Sequence, residues 1–450
     1  MSVDGVEKEQ ISNVFHLADK YNIQFIRLQF TDILGAMKNV TIPLSQLRKA
    51  LDGEIMFDGS SIEGFVRIEE SDMYLRPDPE TFLIYPWLVT EGGAMEARLV
   101  CDVYNYDRSP FEGCPRNALQ RVLAEAGELG YRMCVGPELE FFLFQMDDLG
   151  RPTTITQDKA GYFDMAPVDK GEEARHDIVV NLQKMGFEIE ASHHETAPGQ
   201  HEIDFKYANA LEMADKMVTF RFVVRSIAQR HGLHASFMPK PIKGVSGSGM
   251  HVNQSLFRED RNAFINDKDL QKLSKIAYQY IAGVLAHAKA FTAVTNPTVN
   301  SYKRLVTGYE APCHIAWSER NRSPLIRIPS KRGMSTRIEI RSADPSCNPY
   351  LALAVQLKAG LDGIKNEMKP PAPVDFNIFD LTDEELSRMG IEALPGNLKE
   401  ALGALTRDEV IREALGPHIY SRFLEAKSRE YEEYNMTVHD WEIRQYLATY

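Results

Sequence analysis

Gly136-Pro137-Glu138-Leu139-Glu140-Phe141-Phe142-Leu143-Phe144 is the stretch that decides the fold class. Acidic and apolar residues alternate in it, and a period of two marks a strand whose faces differ. Glu138 and Glu140 share one face, and Phe142 and Phe144 continue it, so two carboxylates stand against an apolar wall. Like charges held together there need cations, because desolvation and mutual repulsion otherwise force a proton onto one of them. Taken alone, the segment also fits a solvent-facing edge strand.

Working outward, residues 186–192, 201–205, 249–256 and 336–341 read as further strands. Residues 115–130, 208–230, 269–291 and 349–365 carry helical periodicity with Pro, Gly or Lys punctuation at their ends. Strands and helices mixed in this way predict an α+β domain. Ahead of it, residues 21–30, 40–42, 81–85 and 98–104 predict a small domain of short strands broken by turns. Ser109-Pro110-Phe111-Glu112-Gly113-Cys114-Pro115 punctuates the chain, which places the domains at 1–109 and 110–450. From Pro370 onward the chain is Glu-rich with helical period and reads as a peripheral appendage.

The 450 residues are 44% hydrophobic and 26% charged, the make-up of an ordinary soluble enzyme. A formal charge of −13 argues against a nucleic-acid binder that works through bulk positive charge. No apolar run reaches the ~18 residues that cross a bilayer. Met1-Ser2-Val3-Asp4-Gly5-Val6-Glu7 lacks the basic and apolar regions of a signal peptide. Cys101, Cys114, Cys134, Cys313 and Cys347 are scattered without a CxxC pair, which suggests neither a disulfide framework nor a zinc site. The expectation is a cytoplasmic protein with no membrane and no direct nucleic-acid partner.

Glu195 and Glu202 bracket a turn between two strand-like segments, and His251 follows the Gly-rich loop Ser246-Gly247-Ser248-Gly249-Met250. With Glu138, Glu140 and Glu339 they offer five carboxylates and one imidazole. That donor set, without thiolates, suits Mg²⁺ or Mn²⁺, and paired ions of this kind clamp phosphoryl oxygens. Lys303, Arg304, Arg320, Arg322, Arg327, Lys331, Arg332, Arg337 and Arg341 are opposed locally only by Glu310, Glu319 and Glu339. Guanidinium groups grip phosphate and carboxylate bidentately, and the interleaved prolines favour loops that face a pocket over a basic helix. GxxxxGK[ST], GxGxxG and GxSxG are all absent. The coherent reading is a metal-assisted phosphoryl transfer between ATP and a carboxylate.

Phe57-Asp58-Gly59-Ser60-Ser61-Ile62-Glu63-Gly64-Phe65, the run from Lys240-Pro241 to Met250-His251, Asn300-Ser301-Tyr302-Lys303-Arg304-Leu305 and Asn321-Arg322-Ser323 together resemble the signatures of bacterial type I glutamine synthetases. The resemblance covers essentially the whole chain. It implies a small N-terminal β-grasp domain and a large catalytic domain with an antiparallel sheet funnel inside helices. It also implies a homo-dodecamer of two stacked hexamers with active sites between subunits. The reaction implied joins ammonia to the γ-carboxylate of L-glutamate through γ-glutamyl phosphate, with ATP as co-substrate and two or more divalent ions.

By motif, Glu140, Glu195 and Glu202 would hold one ion, and Glu138, His251 and Glu339 the other. Ser246, Gly247, Arg304, Glu310, Arg322 and Arg341 would bind glutamate. Glu190, Tyr207, Asn253, Ser255, Arg322, Arg327 and Arg337 would lie along ATP. Asp58 from a neighbouring subunit would hold ammonium and take its proton, Glu310 would close over the intermediate, and Arg322 would serve the reaction. Arg67 matches the arginine of the glutamine-feedback-inhibited subtype, and a nitrogen-responsive transcription regulator is a possible partner of that subtype. Asn377-Ile378-Phe379-Asp380-Leu381 carries phenylalanine where other members carry the adenylylated tyrosine. Ser246 stands where the family loop usually has asparagine. That departure keeps a γ-glutamyl amine or polyamine ligase in view, beside a catalytically silent structural or regulatory relative.

Overall fold

The computed structural model describes residues 3–65, 72–90, 92–309, 311–321 and 323–450. The N-terminal part comprises α1 (Val3–Lys20), β1 (Ile23–Thr31), β2 (Met37–Pro43), α2 (Leu47–Leu51), β3 (Ile55–Asp58), β4 (Asp72–Pro77), β5 (Leu83–Val89) and β6 (Met95–Tyr104). Among the described residues its strands form one six-stranded sheet in the order β2-β1-β6-β4-β3, with β5 also on β6. β1 and β6 pair in parallel, the others antiparallel. The all-strand reading of this region missed α1. That helix buries only a narrow stripe, Val14 and Ala18, too little apolar repetition to stand out in the sequence.

The larger part begins with α3 (Pro115–Glu128), β7 (Arg132–Met146), β8 (Pro152–Thr156), α4 (Glu172–Lys184), β9 (Ile189–His194), β10 (Gln200–Phe205) and β11 (Ala208–Asn209). Next come α5 (Ala210–Arg230), β12 (Leu233–Ser236), β13 (Met250–Arg258), β14 (Arg261–Asn262), α6 (Lys275–Ala286) and α7 (Ala288–Thr295). It continues with β15 (His314–Ile315), β16 (Trp317–Ser318), β17 (Ile326–Arg327), β18 (Ile338–Ile340) and α8 (Pro349–Lys365). It ends with α9 (Asp383–Arg388), β19 (Glu392–Ala393), α10 (Leu398–Arg407), α11 (Glu409–Met436) and α12 (Asp440–Tyr446).

β7 is the spine. β13 pairs with it on one side and β10 on the other, and the sheet runs β16-β17-β18-β13-β7-β10-β9. Its odd-numbered residues Met133, Val135, Leu139, Phe141 and Leu143 sink into the main core, where α5 supplies Met213, Met217, Phe220 and Val224. Fully burying side chains of this size is worth ~1.5–3 kcal/mol each. That burial locks the register, and a slip of one residue would turn the acids into the core. The even-numbered face carries Glu138, Glu140, Phe142 and Phe144. The two phenylalanine rings stack at 5.6 Å over Ala197, Ile242 and Val245.

Two expectations need correction. The helix read at 269–291 is two helices. Asp269 ties the backbone N–H groups of Gln271 and Leu273 into a turn, the Ser274 hydroxyl caps α6, and His287 breaks the run before α7. The C-terminal region is not peripheral: Leu398, Ala401, Leu405, Ile411, Leu415, Ile419 and Phe423 belong to the main core. A kink at Gly416, where φ is +76°, lets α11 bend after Leu415 without losing that contact.

The two parts meet at Arg116 at the start of α3. Its guanidinium bonds Asp78 at 2.6 Å and Asp102 at 3.0 Å on the N-terminal side, and both oxygens of Asp215 on α5 at 3.0 Å. Tyr350 donates to Asp215 at 2.6 Å. Nearby, Gly35 turns between β1 and β2 at φ +86°, so close that a Cβ there would lie 2.9 Å from Asn348 Cα.

Candidate active site

Strand register assembles the acids. His251 on β13 stands opposite Glu138 on β7, and Glu202 and Asp204 on β10 stand opposite Glu140 and Glu138. His193 on β9 pairs with Glu202, and Glu339 on β18 pairs with Asn253 on β13. All of these except Asn253 line one cavity of about 660 Å³, together with Glu195, Arg327 and Arg341.

Two clusters result. In the first, His251 Nδ1 lies 3.0 Å from Glu138 Oε2 and 3.7 Å from Glu339 Oε1. Arg327 pairs with Glu339 at 2.7 Å, and Arg341 pairs with its other oxygen. Burial works to raise the Glu138 carboxyl, but the hydrogen bonds from His251 and Asn253 outweigh it and hold the group at about 2. In the second, His193 Nδ1 is 3.5 Å from Glu195 Oε1 and its Nε2 is 3.4 Å from Glu202 Oε1. Burial, with repulsion from Glu140, Glu195 and Glu138, pushes the Glu202 carboxyl up to about 10. Asp204 is pushed to about 9 by burial and the neighbouring carboxylates. The second cluster is therefore short of positive charge. Its oxygen and imidazole donors fit a hard divalent cation, which would keep those acids ionised.

Glu140 faces the same cavity, opposite Glu202. Its Oε2 accepts hydrogen bonds from Gln200 Nε2 and from the backbone N–H of Gly249, each at 2.8 Å. It forms one wall of a smaller pocket lined by Ser246, Gly247, Arg304, Tyr309 and Arg341. Arg304 is buried there, and its guanidinium donates to the carbonyl of Ser342 at 2.8 Å. On the other side of Glu138 a slot of about 270 Å³ is lined by Glu190, Tyr207, Asn253, Ser255, Lys331 and Arg337. A relay joins slot to cavity: Arg337 donates to Asn253 at 2.8 Å, and Asn253 donates to Glu138 at 3.0 Å.

Models of the glutamine synthetase β-grasp domain and of the glutamine synthetase catalytic domain match residues 22–106 and 112–446. The chain belongs to the glutamine synthetase family. The glutamine synthetase of Clostridium saccharobutylicum is 59% identical over 438 residues, 97% of this chain and 98% of that protein. The glutamine synthetase of Staphylococcus aureus (strain MW2) is 59% identical over 434 residues, 96% of this chain and 97% of that one. Among solved structures, the GmaS/ADP complex in its conformation 1 superposes with a TM-score of 0.87 at 33% identity, covering 96% of this chain and 99% of that one. Plasmodium falciparum glutamine synthetase superposes at 0.85 with 24% identity over 98% of each chain, a likeness of fold. The architecture is thus the α+β one of glutamine synthetases, a β-grasp domain followed by a sheet-and-helix catalytic domain.

Of the residues singled out in the sequence for ATP, Glu190, Tyr207, Asn253, Ser255 and Arg337 line the slot, and Arg327 lines the acidic cavity. Asp58 sits exposed at the end of β3, and the Ser60 hydroxyl and N–H lower its carboxyl below the usual range. Arg67, Glu310 and Arg322 lie outside the described residues. His193 and Asp204 were missed, although each stands two residues from a recognised acid, the same-face spacing that revealed Glu138 and Glu140. A buried quartet, Asp158, Asp169, His194 and His201, lies behind this sheet. Arg175 already supplies its positive charge, bonding Asp169 at 2.6 Å and His201 at 2.8 Å.

Proposed function

We infer that the slot, the acidic cavity and the small pocket are successive parts of one reaction path for nucleotide, phosphoryl group and amino acid. The protein is a glutamate–ammonia ligase that makes glutamine with ATP, and the family requires a divalent metal. The observation that carries the reading of the site is the pair of carboxylate–imidazole clusters facing one cavity between slot and pocket.

In this reading Glu138, His251 and Glu339 hold one Mg²⁺ or Mn²⁺ ion, and Glu195, Glu202 and His193, with Glu140, hold another. Ions held there would supply positive charge to the phosphoryl oxygens. Tyr207, Asn253, Ser255, Glu190 and Arg337 take the nucleotide. Arg304 and Arg341 fix the carboxylates of glutamate beside Ser246 and Gly247. Arg327 and Arg322 meet charge that develops on the transferred phosphoryl group.

The γ-carboxylate takes the γ-phosphoryl group of ATP, releasing ADP, and ammonia then adds to the acyl carbon and displaces phosphate. Asp58 of an adjacent subunit stays ionised and suits both the holding of ammonium and the removal of its proton. Glu310 excludes water. The protein is a multimer in this account, a dodecamer of paired hexamers. It acts in the cytoplasm, is inhibited by glutamine through Arg67, and is read by a nitrogen-responsive regulator. Residues 1–109 and 110–450 are its two domains. No helix among the described residues is long and apolar enough to cross a membrane.

Metal-dependent phosphate release tests the site, measured with glutamate and ammonium, with glutamate and a panel of amines, and with no acceptor. Ammonium is expected to support the fastest release. An amine that outpaces it would transfer the reading to an amine ligase, and loss of His251 or Glu339 with no change in metal dependence would dismantle the site.

A further inference from the structure

Every side chain assigned to the two ions stands on a paired strand except Glu195. Glu195 begins the turn 195–199, after β9 ends at His194 and before β10 starts at Gln200. Strand register fixes Glu202 and His193, whereas the place of Glu195 depends on what holds this turn. Two bonds at its base set its shape: Glu195 N–H to the Gln200 carbonyl at 2.7 Å, and Gln200 N–H to the Ala197 carbonyl at 3.0 Å. Gly199, at φ +66°, seats it on the rest of the molecule. The Gly199 carbonyl accepts from Leu143 N–H on β7 at 2.8 Å, and its N–H donates to Asp158 Oδ1 at 3.0 Å.

Asp158 reaches the other end of the turn as well. The same Oδ1 lies 3.3 Å from His194 Nε2, and His194 Nδ1 donates to the Glu195 carbonyl at 2.6 Å. Its second oxygen accepts the Lys170 N–H at 3.2 Å, and the whole side chain is closed off from solvent. One carboxylate oxygen, supplied by the segment after β8, thus ties the first residue of the turn to the last. Asp158 does not line the acidic cavity, so its influence there runs through Glu195.

The tie matters because the cation is exacting. Mg²⁺ takes oxygen ligands at about 2.0–2.1 Å with little tolerance. Ligand atoms of Glu195, Glu202 and His193 already lie within 4.8 Å of one another, close enough for one ion to meet all three. We propose that Asp158 is a positioning residue for that ion, holding Glu195 at the spacing from Glu202 and His193 that a divalent cation bridges. The proposal rests on the reading of these clusters as metal sites. Loss of Asp158 releases both ends of the turn, and Glu195 drifts from its partners. Glu138, His251 and Glu339 keep their places through the register of β7, β13 and β18, so the other ion is unaffected.

The test is Mn²⁺ binding to the assembled enzyme without nucleotide, followed by the paramagnetic resonance of the free ion. Glu195→Gln and Glu339→Gln identify the two ions, since each should weaken a different one. Asp158→Ala is expected to weaken the ion that Glu195→Gln weakens by about 10-fold, the lower end of what outer partners of metal ligands contribute. The other ion should keep its wild-type affinity. Asp158→Asn preserves the shape with one acceptor oxygen in place of two, and should fall between wild type and Asp158→Ala. Wild-type affinity for both ions in Asp158→Ala overturns the proposal. Equal weakening of both ions does so too, because it would mark Asp158 as a general support of the fold. Should Asp158→Ala fail to fold, Asp158→Asn decides, and wild-type binding in it overturns the role. Wild-type protein that binds no Mn²⁺, or a Glu195→Gln variant that weakens neither ion, would instead remove the metal assignment itself.

Discussion

Replacing Glu202 by glutamine should stabilise the metal-free protein and weaken its response to metal. Without a cation, the folded chain holds the Glu202 carboxyl at about 10, through burial and the charges of Glu140, Glu195 and Glu138. The same group in the unfolded chain titrates near its ordinary 4.5. Between those values the folded state binds the extra proton, so stability of the metal-free protein falls as pH rises through that window. At pH 7 the accumulated cost is on the order of 3 kcal/mol. Glutamine has nearly the same shape and no charge, so it should recover much of this, a rise of a few degrees in Tm for a chain of this size.

With a divalent cation the order reverses. Wild type gains about 3 kcal/mol at a concentration 100-fold above Kd, and the variant, short of one ligand, gains less. Thermal unfolding at fixed protein concentration, in EDTA and in Mg²⁺ at pH 6 and pH 8, reads both effects. A variant less stable than wild type in EDTA at pH 8 would refute the reasoning, as would equal gains from Mg²⁺ in both proteins.

His287 bonds Asp408 at 2.7 Å and Asp362 at 3.1 Å; burial lowers its pKa, yet the two carboxylates win and raise it. Its contribution to stability is complete below the ordinary histidine value and is lost as pH rises through the folded one. His287→Gln should therefore lower Tm more at pH 6 than at pH 9, and equal losses would show that the charge is irrelevant. Ser246→Asn adds an amide at the pocket rim, where one neutral hydrogen bond is worth about 0.5–1.5 kcal/mol. Glutamate KM should fall roughly 2- to 12-fold with ammonium still preferred, and an unchanged KM would remove position 246 from binding. Arg67→Ala should relieve inhibition by glutamine while sparing catalysis, and equal glutamine sensitivity in both proteins would sink that role. Phe379 offers no hydroxyl for AMP, so mass spectrometry should find the 377–381 peptide unmodified.

What the sequence disclosed follows from which signals are local. The strand period of 138–144 survived because one face packs on α5 and the other on a cavity, so both demands are written residue by residue. His193 and Asp204 obey the same period. They were passed over because a histidine beside another histidine, and one aspartate in an acidic chain, look ordinary until β9, β10 and β7 are paired. The place of α10 and α11 in the core was hidden for a different reason. In α11 the apolar residues are diluted among glutamates, and Gly416-Pro417 breaks the phase of the helix, so the burial of Leu415 and Phe423 depends on partners far away in the chain. Arg327 was matched to the ATP phosphates through the family resemblance, and what the sequence did not announce is its pairing with Glu339, fixed by β17 lying beside β18.

Arg116 makes the chain a poor subject for dissection. A fragment starting at residue 115 would keep the guanidinium and Asp215 but lose Asp78 and Asp102. One ending at 106 would leave those two acids facing each other with no cation between them. Removing one side of a buried ion cluster costs about 3–5 kcal/mol, a large part of what keeps a domain folded. Swapping N-terminal domains between related enzymes should then succeed only when the incoming domain brings its own matching acids to this arginine. That makes two aspartates, Asp78 and Asp102, the compatibility code for building chimaeras of this enzyme.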